Sequence, residues 1–338
     1  MNELLLKYKE LLLRYAKYTK YASFAGYSVF YVFCLFLFSF SSLAFPYDIL
    51  KERVVASYNA DQFAIGGQQE LQIDEMGGYW VSGVKVKGVR LLSAPAEPGK
   101  PLGKIEIDQA TVRYGILAMA IGDSDMSFDV DAFGGEATGS YDVHGKDKSF
   151  DMTLESIDLG KVEPLVQMVG GLPLQGTLGG TVRLTLPEGK GSKGTGTVSL
   201  EAKDVVVGDD RAKINGALTL PRLTIGTLTF AADAKDGVMK ISKFLAGGKD
   251  LDLQGDGRIT LRDLAVESLC DIGVRFRIND AYRGKNDVTK SLFGTPGSTA
   301  PALFELADPR VKQSKRADGF YSWSARGSLG RLEFVPKG

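Results

Sequence analysis

Apolar and polar side chains follow three successive rhythms along this chain. In residues 1–20, MNELLLKYKELLLRYAKYTK, the apolar positions Leu4, Tyr8, Leu11, Leu12 and Tyr15 recur with a helical period. The next stretch, Ala22 to Phe45 (ASFAGYSVFYVFCLFLFSFSSLAF), has no polar rhythm, and no Lys, Arg, Asp or Glu occurs from Tyr21 to Tyr47. A helix of that length spans a hydrocarbon core of ~30 Å at about 1.5 Å per residue. After Pro46 the helical period returns briefly: Tyr47, Leu50, Val54 and Tyr58 share one face. Proline suits a first helical turn, so a short helix is predicted over 46–66.

From about Glu70 the period changes to two. Val84 and Val86 alternate with Lys85 and Lys87; Met126, Phe128, Val130 and Ala132 alternate with Ser127, Asp129 and Asp131. The same holds for Phe150, Met152 and Leu154, for Leu178, Val182, Leu184 and Leu186, and for Leu251, Leu253, Ile259 and Leu261. This is the mark of strands with one buried and one wet face, joined as an antiparallel meander. Three stretches, 132–143, 172–184 and 245–261, repeat a pattern of turn glycines followed by a strand with another glycine inside it. Interior strand glycines mark bends, so one long curved sheet is predicted in place of two unrelated domains. Helical interruptions are few: Leu159, Val162, Leu165, Val166 and Val169 on one face, and a second candidate over Asn279–Phe293. Residues 294–301 are expected to form a flexible loop, and the chain's last segment a strand pair.

Charge gives the first rhythm a direction. Residues 1–20 hold Lys7, Lys9, Arg14, Lys17 and Lys20 against Glu3 and Glu10, and a basic flank keeps its end of a span cytoplasmic. Ser42-Leu43-Ala44 would pass as a signal-peptidase site, but the apolar run is longer than a signal core, which favours an uncleaved anchor. Ala22, Phe30, Phe33, Leu35, Phe38 and Leu43 represent that anchor. The domain reading is therefore 1–20 a cytoplasmic basic amphipathic head, 21–45 a transmembrane helix, 46–66 a juxtamembrane helix and 67–338 a β-rich domain beyond the membrane. Overall, 41 basic residues balance 41 acidic ones, which speaks against a nucleic-acid binder working through a broad positive field. The two cysteines, Cys34 in the span and Cys270 near the end, cannot plausibly meet, and one histidine, His144, excludes a multi-histidine metal site.

Several local patterns resemble catalytic or binding motifs. Gly189–Gly194 (GKGSKG) matches a dinucleotide fingerprint but leads into an alternating strand, not a helix, and is read as a turn. Asp125–Glu136 has acids at several EF-hand positions, but Val130 stands where the sharp turn needs glycine, so it is read as a strand with a solvated acidic face. His144 is read as an exposed turn residue. No nucleophile elbow, zincin motif or P-loop occurs, and no residue is assigned a catalytic, metal-binding or cofactor-binding role. In the aromatic hairpin Asp318–Trp323, Phe320 is expected inward and Tyr321 and Trp323 on the other face. The alternative makes Phe320, Tyr321 and Trp323 a contact patch for a partner or the membrane.

Four segments in order carry a family resemblance: FPYDILKERVVASYNA directly after the apolar run, LESIDLGKVEPLVQMVGGLPLQGTLGGTVRL, FLAGGKDLDLQGDGRITL, and the closing DGFYSWSARGSLGRLEFVP. Together they resemble the general secretion pathway protein N (GspN) family of bacterial type II secretion systems. The glycine-then-strand pattern is also similar to AsmA-like proteins, membrane-anchored periplasmic sheets curled into a groove, or β-taco. The fold class expected is thus mainly β: an N-terminal transmembrane helix, one long curved antiparallel sheet and one or two short helices. The resemblance implies a non-catalytic inner-membrane protein with its bulk in the periplasm, assisting assembly or holding other secretion-system subunits. Its alternative implication is an AsmA-like module that binds or transfers lipid. Neither involves nucleic acid.

Overall fold

The computed structural model of the protein describes residues 45–338, apart from 65–68, 81, 94–102, 116–122, 170, 212, 215–217, 220, 265–266, 299, 301 and 330. The head, the apolar run and the anchor residues Ala22, Phe30, Phe33, Leu35, Phe38 and Leu43 lie outside the described residues. Among the described residues, no helix is long and apolar enough to cross a membrane. The chain divides after Leu50 into two units. Of the first, residues 45–50 are described: Phe45 lies against Tyr47 at 4.8 Å between ring centroids, and Leu50 N–H bonds to the Pro46 carbonyl at 3.1 Å. That bond closes the first turn of helix α1 (Tyr47–Ala64), whose Asp48 suits the positive helix start.

The second unit, Lys51–Gly338, is built on one antiparallel sheet of fourteen strands. In chain order they are β1 (Gln69–Tyr79), β2 (Gly83–Ser93), β3 (Gly103–Tyr114), β4 (Ser124–Ala132), β5 (Gly135–His144), β6 (Asp147–Asp158), β7 (Leu174–Leu186) and β8 (Thr195–Val207). They continue with β11 (Leu223–Lys235), β12 (Val238–Gly247), β13 (Leu251–Thr260), β14 (Leu269–Ile278), β15 (Tyr321–Ser328) and β16 (Arg331–Pro336). Each strand pairs with the next, so the predicted meander is the observed topology. Among the described residues a two-stranded hairpin, β9 (Lys213–Ile214) with β10 (Leu218–Thr219), lies between β8 and β11 outside this sheet. At about 4.8 Å per strand the sheet runs roughly 60 Å along its curve. Register shifts at Ile107/Gln109, Leu154/Ile157, Gln175/Thr177 and Ala231/Ala232 supply the bulges that bend it.

The helices are short and more numerous than the one or two expected. The predicted face from Leu159 to Val169 breaks into a 3-10 turn (Leu159–Lys161) and α2 (Glu163–Met168). The candidate over Asn279–Phe293 is two helices, α3 (Asp280–Arg283) and α4 (Asp287–Phe293), the latter opened by a reciprocal cap between Asn286 and Thr289. Beyond the 294–301 segment come α5 (Leu303–Ala307) and α6 (Pro309–Ser314), which the sequence pattern did not disclose.

Buried apolar side chains gather in two clusters. One joins Ala232, Ala234, Met239, Ile259, Leu261 and Cys270; the other joins Leu159, Ala202 and Val205, with Leu165 of α2 packed on it. The Gly189–Gly194 segment is a strap across strand ends, formed of two 3-10 turns. Gly191 N–H bonds Asp263 Oδ1 at 2.7 Å, and Gly194 accepts from Gly237 N–H at 2.9 Å. It thereby ties the β7–β8 connection to the turn after β11 and the loop after β13, which a flat sheet would hold apart.

Candidate functional site

The apolar face is the largest candidate surface. Cross-strand partners place Met76, Val86, Ala110, Val130, Ala137, Leu154, Gly180, Leu200, Phe230 and Phe244 in one row across ten adjacent strands. None of these ten is fully buried. In β1 to β5, Ala132 is the one buried hydrophobic among the described residues, whereas β11 to β14 hold Ala232, Ala234, Met239, Ala246, Leu251, Ile259 and Cys270. The sheet therefore has a packed C-terminal half and an N-terminal half whose apolar face is half-open. A second row on the same face carries Val84, Val112, Phe128, Gly139, Met152, Val182 and Val198.

The two sheet edges differ. On β1, Asn59 of α1 reaches across to Leu71. Its Oδ1 accepts from Leu71 N–H at 2.8 Å and its Nδ2 donates to the Leu71 carbonyl at 3.2 Å. Lys51 Nζ bonds the Asp74 carbonyl at 2.9 Å, and Tyr58 bonds Gln69. The α1 side chains thus occupy main-chain groups that an edge strand would offer to another chain. On β16, Lys337 N–H bonds the Ser322 carbonyl of β15 at 2.8 Å. The antiparallel alternation then turns the main-chain groups of Leu332 and Phe334 outward. Among the described residues no further strand pairs with that side, although α6 lies against β16 and Gln313 sits beside Gly338; Phe334 and Val335 are 47% and 43% exposed.

The Asp318–Trp323 hairpin has the reverse orientation of the one expected. Tyr321 is buried, and its hydroxyl donates to Glu305 Oε1 at 2.6 Å. Its ring stacks on Phe276 at 5.5 Å, and Trp323 packs against the same Phe276 at 6.1 Å. Phe320 instead lies on the wet face under the guanidinium groups of Arg275 and Arg277, at 5.1 and 4.8 Å. Register decides this: Tyr321 stands opposite Phe276, whose side chain belongs to the apolar face. Of the three aromatic residues, Phe320 and Trp323 are partly exposed and Tyr321 is not.

Glu305 is itself buried and also accepts from Lys315 Nζ at 2.5 Å. Burial pushes its carboxyl upward, but the bonds from Lys315 and Tyr321 outweigh it and hold the group below its ordinary range. Burial and the Glu305 bond both push the Tyr321 phenol up. Tyr282, buried with its hydroxyl on the Pro221 carbonyl at 2.6 Å, is pushed up to about 12 by burial first and by Asp250 second. These groups lock α3 to α6 onto the strand ends. His144 ends β5 and is exposed. Its Nδ1 lies 3.1 Å from Asp123 Oδ2, which raises the imidazole and lowers the carboxyl. Asp125–Glu136 forms strand β4 and its turn into β5. Cys270 is buried, and burial pushes its thiol up.

The wet face mostly sets opposite charges opposite one another: Lys87 with Glu75, Arg183 with Asp151, Arg277 with Asp252, Arg326 with Asp271. Three places break this rule. Asp131, Glu136 and Glu155 line up across β4, β5 and β6, Asp125 stands opposite Asp142 on β4 and β5, and Lys240 stands opposite Arg258 on β12 and β13. Cross-strand register puts these like charges together, and no local sequence signal announces it. Comparison with family models, curated proteins and solved structures returns no match for this chain.

Proposed function

We propose that the protein is a non-catalytic, inner-membrane-anchored component of a bacterial type II secretion system, with its sheet in the periplasm holding partner subunits. The resemblance of four ordered segments to the GspN family motivates this. The observation that carries it is the contrast between the sheet edges: β1 is occupied by Asn59 and Lys51, while β16 turns the Leu332 and Phe334 main chain outward beside exposed apolar side chains. An edge of that kind binds a partner by strand addition. The test is crosslinking and co-purification from membranes, with lipid extracted from the same sample. Recovery of secretion-system subunits supports the reading; bound phospholipid without them sinks it.

A second reading, an AsmA-like module that binds or transfers lipid, is favoured by one specific observation. The row from Met76 to Leu154 presents partly exposed apolar side chains across the six strands β1 to β6, a surface suited to an acyl chain. The lipid arm of the same experiment decides between the two.

A further inference from the structure

We infer that the wet face of β12–β15 carries a binding site for a phosphate-bearing anion, independent of the secretion reading. The site is a recess of about 570 Å³, within the size range of small-ligand sites. Lys240, Arg258, Arg275 and Arg326 rise into it from the strands, and Arg316 and Lys337 from its flanks. Asp256 and Asp271 are the carboxylates in its lining. Asp318 bonds Arg275 from outside the lining, Asp233 stands opposite Lys240 and Glu333 opposite Arg326, so six cations face five acids. In a chain of zero net charge this excess is local.

Two observations show where the remaining positive charge lies. First, Lys240 and Arg258 are direct cross-strand partners, with Asp233 on the far side of Lys240 and Asp271 on the far side of Arg258. The carboxylate on the other side of Arg258, Asp271, is held by Arg326 Nε at 3.1 Å. Second, the polar partners of Arg316 are neutral: Ser322 Oγ and the Lys337 carbonyl, both at 3.3 Å. A single carboxylate would neutralise one of these cations. A phosphate offers two charges and several oxygens, which suits converging guanidinium and ammonium donors.

Titration of the full-length, detergent-solubilised protein with inorganic pyrophosphate tests this by calorimetry. Saturable binding that weakens as salt rises is expected, with at least a tenfold loss of affinity in the Lys240→Gln/Arg258→Gln variant. Circular dichroism should show that variant folded like the parent, and Arg183→Gln on β7 should bind like the parent. Flotation with phosphatidylglycerol against phosphatidylcholine vesicles identifies the source. Phosphatidylglycerol binding that pyrophosphate displaces assigns a lipid headgroup, and pyrophosphate binding alone assigns a soluble phosphate compound. No pyrophosphate binding, an equal loss in Arg183→Gln, or a self-association abolished by the double variant would each overturn the proposal. The last result would assign the recess to the acidic row of a second copy.

Discussion

The ring of Phe128 lies over Gly139 on the neighbouring strand. A Cβ at Gly139 would stand 2.6 Å from Phe128 Cζ and 2.1 Å from the Asp151 carbonyl oxygen. The two residues are register partners in β4 and β5, so the glycine gives the ring its seat and the ring fills the missing side chain's place. Gly139→Val should therefore displace Phe128 and press on β6. A loss of about 1–3 kcal/mol is expected from overpacking, read as a lower denaturant midpoint at unchanged slope.

Asn59 should be the guard of the β1 edge. Asn59→Leu removes both bonds to Leu71 while keeping the side chain's size, at a cost of about 1–2 kcal/mol for two partly buried hydrogen bonds. Hydrogen exchange at the Leu71 amide should quicken, and the protein should aggregate more readily. An unchanged exchange rate at Leu71 would remove Asn59 from that role.

Glu305 makes a pH prediction with a definite sign. Its folded carboxyl lies below its ordinary range, so the unfolded chain takes up the proton first as pH falls. The contribution is fully present above about pH 5 and is lost as the pH drops through the folded value, below the ordinary ~4.3 of a glutamate. Glu305→Gln should lower the melting temperature at pH 7 and flatten this part of the profile between pH 5 and 3. Equal acid sensitivity in parent and variant would mean that other carboxylates govern the transition.

Much of this architecture is legible in the sequence because its signals are local. Alternation gave the strands, turn glycines such as Gly134 gave the hairpins, and Pro46 with the face of Tyr47, Leu50, Val54 and Tyr58 marked α1. Helices α5 and α6 escaped because five or six residues hold too few turns to establish a period. The orientation of Phe320 and Tyr321 escaped for a different reason. Alternation says that neighbours part to opposite faces, but the pairing of Tyr321 with Phe276 decides which face is which. The meeting of Lys240 with Arg258, the strap from Gly191 to Asp263 and the Asn59 guard are likewise products of register or long-range folding.

The most direct test of the binding-subunit account is site-specific photo-crosslinking in native membranes. A photoreactive phenylalanine analogue is placed at Phe334 on the open edge, and another at Glu70 on the guarded one. Adducts with another secretion-system subunit are expected at position 334 and none at position 70. No protein adduct at position 334, with phospholipid as the recovered species, would contradict it.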